Sequence, residues 1–268
     1  MRLGKLVKWV AAKQVILFIV EGMSDMRSLE LILTRYFSNS HVKVEVTHGD
    51  ITSDINTNAS NISAKIGKIV KACIAQNRFK QKDFLKVVHL IDMDGAYIDD
   101  GCIVQDDRYE KPFYTTRNIF VKNIEKIVDR NERKRNNINK ISSMPKVLKD
   151  IPYEAYYMSS NLDHALHNRI NISDEEKEKC AYEFEDRFAN DLPGFIEFMN
   201  NPFYCINTTM KESWQFIKVD RHSLERYTNF GLCFRNKNTN WLKSIKTNGF
   251  VLTIIKVYWG NTKTSFLS

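Results

Sequence analysis

No run of about eighteen or more apolar residues occurs anywhere in the chain, so a transmembrane helix is excluded. CxxC pairs are also missing. Cys73, Cys102, Cys180, Cys205 and Cys233 are odd in number and scattered, which argues against a disulfide framework and against a zinc knuckle. They read as core thiols. No internal repeat and no low-complexity tract is present. The opening MRLGKLVKWVAAKQVILFIV puts basic residues before an apolar run, as a signal peptide does. Lys13 and Gln14 interrupt that run and no small-residue cleavage site follows, so the expectation is a cytoplasmic protein.

What remains is an ordinary globular composition, 43% hydrophobic and 27% charged over 268 residues. That length supports one large domain or a domain with an annex. A net charge of +8 suits a polyanionic partner such as nucleic acid. The densest basic stretch, RNERKRNNINK (130–140), is rich in asparagine and reads as a solvated linker. Its sharper alternative is a phosphate-contacting loop.

VILFIV (15–20) is short and β-branched, as expected of a parallel strand buried on both faces. Ser24 then offers a cap to a helix with Leu29, Leu31, Ile32, Leu33, Tyr36 and Phe37 at helical spacing. HVKVEVTH (41–48) alternates as a strand with one wet face. GDITSDINTNAS leads into an amphipathic helix carrying Ile62, Ile66, Ile69, Val70 and Ile74, and FLKVVHLID (84–92) is again a buried strand. This alternation predicts an α/β unit with right-handed crossovers. Further on come an acidic, aromatic insertion, a helix around 118–130, the basic linker, a fourth strand in EAYYMSS (154–160) and a helix begun by NLDHALHN. Ser173 with Glu176 forms a capping box for a helix over 174–189. PGFIEFMNN, TTMKESWQFIK and SLERYTNF suggest short helices, and VLTIIKVYW a late strand or helix.

Two of these strands end in acid: FIV runs into Glu21, and HLI into Asp92-Met-Asp94-Gly95. Ligands of open α/β sheets gather beyond the carboxyl ends of the strands. In extended backbone Asp92 and Asp94 point to one side, and Gly95 permits a sharp turn after them. Asp25 falls in the first turn of the following helix, where the helix dipole favours an anion. Four carboxylates in one crevice repel unless a cation lies among them, and hard oxygen ligands select Mg²⁺ or Mn²⁺.

VEGMSD followed about seventy residues later by LIDMDG resembles the TOPRIM domain of topoisomerases, primases, the small ribosomal-RNA maturase and OLD-type nucleases. The resemblance spans roughly residues 14–170. It implies a TOPRIM-like parallel sheet flanked by helices over 1–170, with an insertion at 96–150, and a mostly helical region over 171–268. It further implies a Mg²⁺- or Mn²⁺-dependent nuclease acting on DNA or on a structured RNA such as tRNA, with Glu21 as ligand or general acid/base. Asp92 and Asp94 would hold the metal, supported by Asp25. OLD-type nucleases add a serine and an acid from a later strand, here Ser159 or Ser160 with Asp163, and a lysine, here Lys211 or Lys218. The chain has no GxxxxGK[ST] motif, so it resembles the stand-alone TOPRIM subunits that accompany a separate ATPase in antiphage systems. The expected partners are nucleic acid, that ATPase and further copies of the chain.

LIDMDG also opens the haloacid-dehalogenase phosphatases, in which the first Asp attacks phosphorus, although Ala96 stands where a threonine is expected. A non-catalytic nucleic-acid-binding subunit of an ATPase complex is the third reading. His164 and His167, three apart, read either as acid/base groups or ligands near the crevice or as packing residues. His89 reads as a satisfied core histidine, Trp214, Phe216 and Tyr227 as core aromatics, and Asp99, Asp100, Asp106 and Asp107 as a surface loop.

Overall fold

The computed structural model describes residues 14–37, 42–48 and 51–235. The opening basic stretch and VLTIIKVYW lie outside these residues. Two compact units divide the chain, Met1–Leu232 and Cys233–Ser268. The expected boundary at 170 falls inside the first.

That unit is α/β. Strand β1 (Gln14–Val20) is followed by α1 (Met23–Phe37), β2 (Val42–His48), α2 (Ile62–Asn77) and β3 (Phe84–Asp92). A side sheet of β4 (Ile103–Gln105), β5 (Phe113–Tyr114) and β6 (Ile119–Val121) comes next, then α3 (Ile124–Ile141), β7 (Lys146–Val147) and β8 (Ile151–Met158). Beyond lie α4 (Asp174–Ala189), α5 (Leu192–Phe198) and α6 (Met210–Phe216).

The main sheet has the order β2-β1-β3-β8-β7, parallel except for β7. The chain leaves β1 in one direction to reach β2 and returns past it to β3. Right-handed crossovers running in opposite directions must use opposite faces of the sheet. Val15, Leu17 and Ile19 accordingly share a core with Ile62, Ile66 and Val70 of α2 and with Ile138 and Ile141 of α3. On the other face Phe18 packs against Phe37 of α1 and against Phe230. Val15 to Val20 are each at most 5% exposed, so β1 is covered on both sides, as its unbroken apolar run predicts. The order of strands reverses between β1 and β3, and a crevice opens at such a switch point beyond the carboxyl ends.

Several local expectations hold. Ser173 and Glu176 form the reciprocal capping box at α4, and β8 is a fourth parallel strand. Others need correction. Helix α1 begins at Met23, so Ser24 lies within it, and the Asp25 carboxylate accepts from the Gly22 N–H at 2.8 Å. Residues 163–167 make one π-helical turn, and SLERYTNF makes turns rather than a helix. The largest correction concerns 130–140, expected to be a solvated linker after a helix at 118–130. It is the body of α3, because Ile127, Asn131, Lys134, Ile138 and Ile141 recur at alternating steps of four and three and form one buried face.

Two asparagines on α3 tie that face to the loops around the crevice. Asn131 Nδ2 donates to the Gly95 carbonyl at 3.4 Å, and Asn137 Nδ2 donates to the carbonyls of Thr52 and Thr57 at 2.9 and 3.2 Å. Asn137→Ala should therefore cost about 1–3 kcal/mol in chemical denaturation, since two carbonyls lose a buried donor. A loss too small to measure would mean the loop closes over without it.

His89 is fully buried in β3, its Nδ1 2.7 Å from the Tyr153 hydroxyl, and burial followed by the Lys134 charge lowers its pKa to about 3. The unfolded chain takes up this proton near pH 6.5 and the native fold does not, so stability falls as pH drops through that value. From pH 7 to pH 5 this group should remove about 2 kcal/mol. His89→Leu should flatten the corresponding part of the stability profile.

Candidate metal centre

Glu21 immediately follows β1, Asp92 ends β3, and Asp94 lies two residues beyond, all at the switch point of the sheet. Asp92 and Asp94 do not reach it by strand alternation, because β3 stops at Asp92. Met93 donates its N–H to Met158 O at 2.9 Å, and Asp94 donates its N–H to Ser160 O at 2.6 Å. Asp94 and Gly95 then both take positive φ, 47° and 67°. Aspartate tolerates this left-handed region better than most residues. A side chain at Gly95 would meet Leu224 Cδ2 at 2.6 Å and Ile119 Cδ1 at 2.9 Å, so glycine is required for space as well as for φ.

The carboxyls act on one another. Burial first, then the charges of Glu21, Asp25 and Asp94, push Asp92 well above the usual carboxylate range, while its Oδ1 accepts from the Leu162 N–H at 3.0 Å. Asp25 is raised mainly by burial, with Asp94 adding to the effect and Lys177 of α4 opposing it. Asp163 is raised to about 6 by burial and by Asp25. Glu21 is steadied by the Thr52 hydroxyl, which donates to Oε1 at 3.1 Å. Five of the expected site acids are thus in electrostatic reach of one another along the line Asp163, Asp25, Asp94, Asp92, Glu21.

Sequence reasoning missed Lys134. Its side chain is wholly inaccessible, its Nζ forms an ion pair with Asp94 and lies 3.7 Å from Glu21 Oε2. Burial would lower its pKa, but Asp94, Glu21 and Asp92 together raise it, so it is a cation at any working pH. Burial likewise works against Asp94, and Lys134 and Arg130 outweigh it and hold this carboxyl low. Arg130 also donates from Nη2 to the Asp94 carbonyl at 2.8 Å and from Nη1 to the Tyr114 hydroxyl at 2.7 Å. The available signal was the step from Ile127 to Asn131, Lys134, Ile138 and Ile141, which places a lysine in the middle of an otherwise buried stripe.

The remaining candidates divide. Ser159 is committed to structure, donating to the carbonyls of His222 and Glu225. Ser160 Oγ and Asp163 Oδ1 are buried and without a hydrogen-bond partner among the described residues. His164 and His167 are held neutral, at about 4, by burial and by Arg226, and Ser160 N–H donates to His164 Nδ1 at 3.2 Å. Lys211 is exposed on α6 and joins none of these acids among the described residues. Lys218 lies over the rings of Tyr97 and Trp214. In the acidic insertion Asp106 pairs with Arg108, and Asp99 accepts from Gly101 N.

A hard divalent ion fits this donor set chemically: the ligands are carboxylate oxygens, their charge exceeds that of the nearby cations, and a buried Asp163 oxygen has no partner. As the side chains stand, no group of three His, Cys, Asp or Glu among the described residues closes around one point. Lys134 occupies the space between Glu21 and Asp94 instead.

These environments make opposite predictions for two neighbouring aspartates. Without divalent ions, Asp94→Asn should destabilise the fold by about 3–5 kcal/mol, because it strands a buried ammonium. Asp92→Asn should be neutral or gain about 1 kcal/mol, because it relieves repulsion and keeps the oxygen that Leu162 uses. Chemical denaturation in EDTA measures both, and equal losses would refute the assignment of Lys134 to Asp94.

No family model, no curated protein and no solved structure matches the chain, so the reading of this centre rests on its own residues.

Proposed function

We propose that the chain is a metal-dependent nuclease of the TOPRIM type that hydrolyses phosphodiester bonds in nucleic acid. The observation that carries this reading is the clustering of Glu21, Asp25, Asp92 and Asp94 at the sheet's switch point, where burial and then the charges of the other three push Asp92 well above the usual range. Carboxyls that raise one another's pKa in a crevice favour a site that takes up positive charge. Glu21, Asp25, Asp92, Asp94 and Asp163 would hold Mg²⁺ or Mn²⁺. Such an ion, when bound, makes water acidic enough to attack phosphorus and offsets charge on the phosphoryl oxygens.

The chain's own groups divide the rest of the work. Thr52 donates to Glu21, which would accept a proton from the attacking water. Arg130 fixes the backbone of the Asp94 turn. The net charge of +8 favours a polyanionic substrate and speeds its approach. Among the described residues no helix is long and apolar enough to cross a membrane. The antiphage setting and the separate ATPase subunit belong to this proposal through the resemblance of the two acidic motifs. A dehalogenase-type phosphatase is less favoured, since in it Glu21 and Asp25, whose charges act on Asp92, would have no task.

Supercoiled plasmid, single-stranded DNA and total tRNA, each incubated with Mg²⁺, Mn²⁺ or EDTA, test the reading. Wild type should cut at least one substrate only with metal, and Glu21→Gln or Asp92→Asn should lower the rate by about 100-fold or more with folding intact. Cleavage that survives EDTA or both substitutions overturns it.

A further inference from the structure

Lys134 is fully buried, yet nothing in the chemistry of phosphodiester hydrolysis requires an ammonium that substrate cannot reach. Its Nζ lies between one oxygen of Glu21 and one of Asp94, the first from the end of β1 and the second from the turn after β3. Those two residues stand on either side of the switch point, so an ion serving both strand ends would need the same gap. The charged groups around it are Glu21, Asp92, Asp94 and, further along α3, Arg130. A divalent ion and an ammonium cannot share so small a volume, and each weakens the other's hold on the same carboxylates.

We propose that Lys134 is a resident cation of the acid cluster, which a divalent ion must displace from between Glu21 and Asp94 before the centre is loaded. This inference rests on the metal-dependent reading above and adds a gate to it. The gate belongs to α3 rather than to the strand ends. Asn131 and Asn137, three residues to either side of Lys134, anchor the helix to Gly95 and to Thr52 and Thr57, and Arg130 anchors it to Asp94. Thr52 is also the residue that holds Glu21. Movement of the Lys134 side chain is therefore coupled through short links to the acids on both sides of the gap. In the unloaded state the ammonium keeps the carboxylates from driving the strand ends apart; in the loaded state the ion takes over that task.

Two measurements on the full chain test this. Amine acylation of the native wild-type protein, read by mass spectrometry at each lysine, should find Lys134 protected in EDTA and labelled at saturating Mn²⁺, with the exposed Lys211 labelled equally in both. Protection that persists once Mn²⁺ is bound overturns the inference. Binding of Mn²⁺, followed by the loss of the free-ion electron paramagnetic resonance signal, should be about tenfold or more tighter for Lys134→Met and Lys134→Gln than for wild type, while Lys134→Arg should stay weak. Equal or weaker binding by both neutral variants overturns the inference and leaves the metal-dependent reading standing. Absence of binding by wild type and by every variant overturns both. The labelling arm uses wild type alone, so it holds even where a neutral variant fails to fold.

Discussion

A buried ion-pair network, Lys134 with Asp94 and Glu21, is the constraint around which the strand ends of this molecule are arranged. Burying an ammonium costs several kcal/mol, and only close carboxylates recover it. At about 4 Å and an effective dielectric constant near 20, each pairing is worth about 4 kcal/mol before desolvation. The pairing therefore demands accurate placement of α3 over the strand ends. The asparagines on the same face provide it: Asn137 donates to the loop carbonyls of Thr52 and Thr57, and Asn131 to that of Gly95, which the Ile98 N–H also reaches. Helix α3 is held by polar contacts at its centre and by Ile138 and Ile141 in the core at its end.

The same loops are tied from the opposite side. Gly95 donates its N–H to Ser223 O, Tyr97 donates its N–H to Ser223 Oγ, and Ser159 donates its N–H to Tyr227 O. Asn229 accepts from the Tyr157 N–H and donates to Ser213 on α6. The carboxyl ends of β3 and β8 are thus braced by residues more than sixty positions later in the chain, which explains why the compact unit continues to Leu232. A crevice at the switch point of an open sheet is a general consequence of topology. Here its walls are α3 on one side and the segment 213–229 on the other.

The parts legible in the sequence are those in which local pattern and burial agree. β1 and β3 are unbroken apolar runs, α2 carries its isoleucines at helical spacing, and α4 announces itself by Ser173 and Glu176. The acids at the strand ends were legible for the same reason, since a carboxylate directly after a buried strand has few structural uses. What was not legible was a buried face made of polar residues. Asn131, Lys134 and Asn137 pair with backbone and carboxylates from distant segments, and no window of sequence contains those partners. Read alone, such residues belong to solvent, and so 130–140, the body of α3, reads as a linker. Asp94 was misjudged in a smaller way. Its position was anticipated, but it arrives through a left-handed turn at Asp94 and Gly95, where Leu224 and Ile119 leave no room for a side chain on the glycine, not through strand alternation. Lys211 is a candidate only through the resemblance to OLD-type nucleases, and the fold puts it on an exposed face of α6.

The acid cluster is a liability to the fold that carries it. Burial and mutual repulsion raise Asp92, Asp25 and Asp163, the last to about 6, while Lys134 and Arg130 hold Asp94 low. Under the metal-dependent proposal, ammonium and divalent ion are alternative ways of balancing the same charge, so binding one must weaken the hold on the other. Apolar residues of similar volume at these positions would pack as well and cost less. Packing alone does not account for acids at both strand ends, a lysine buried between them, and two asparagines spent on holding that lysine's helix. The exchange of one positive charge for another proposed above does.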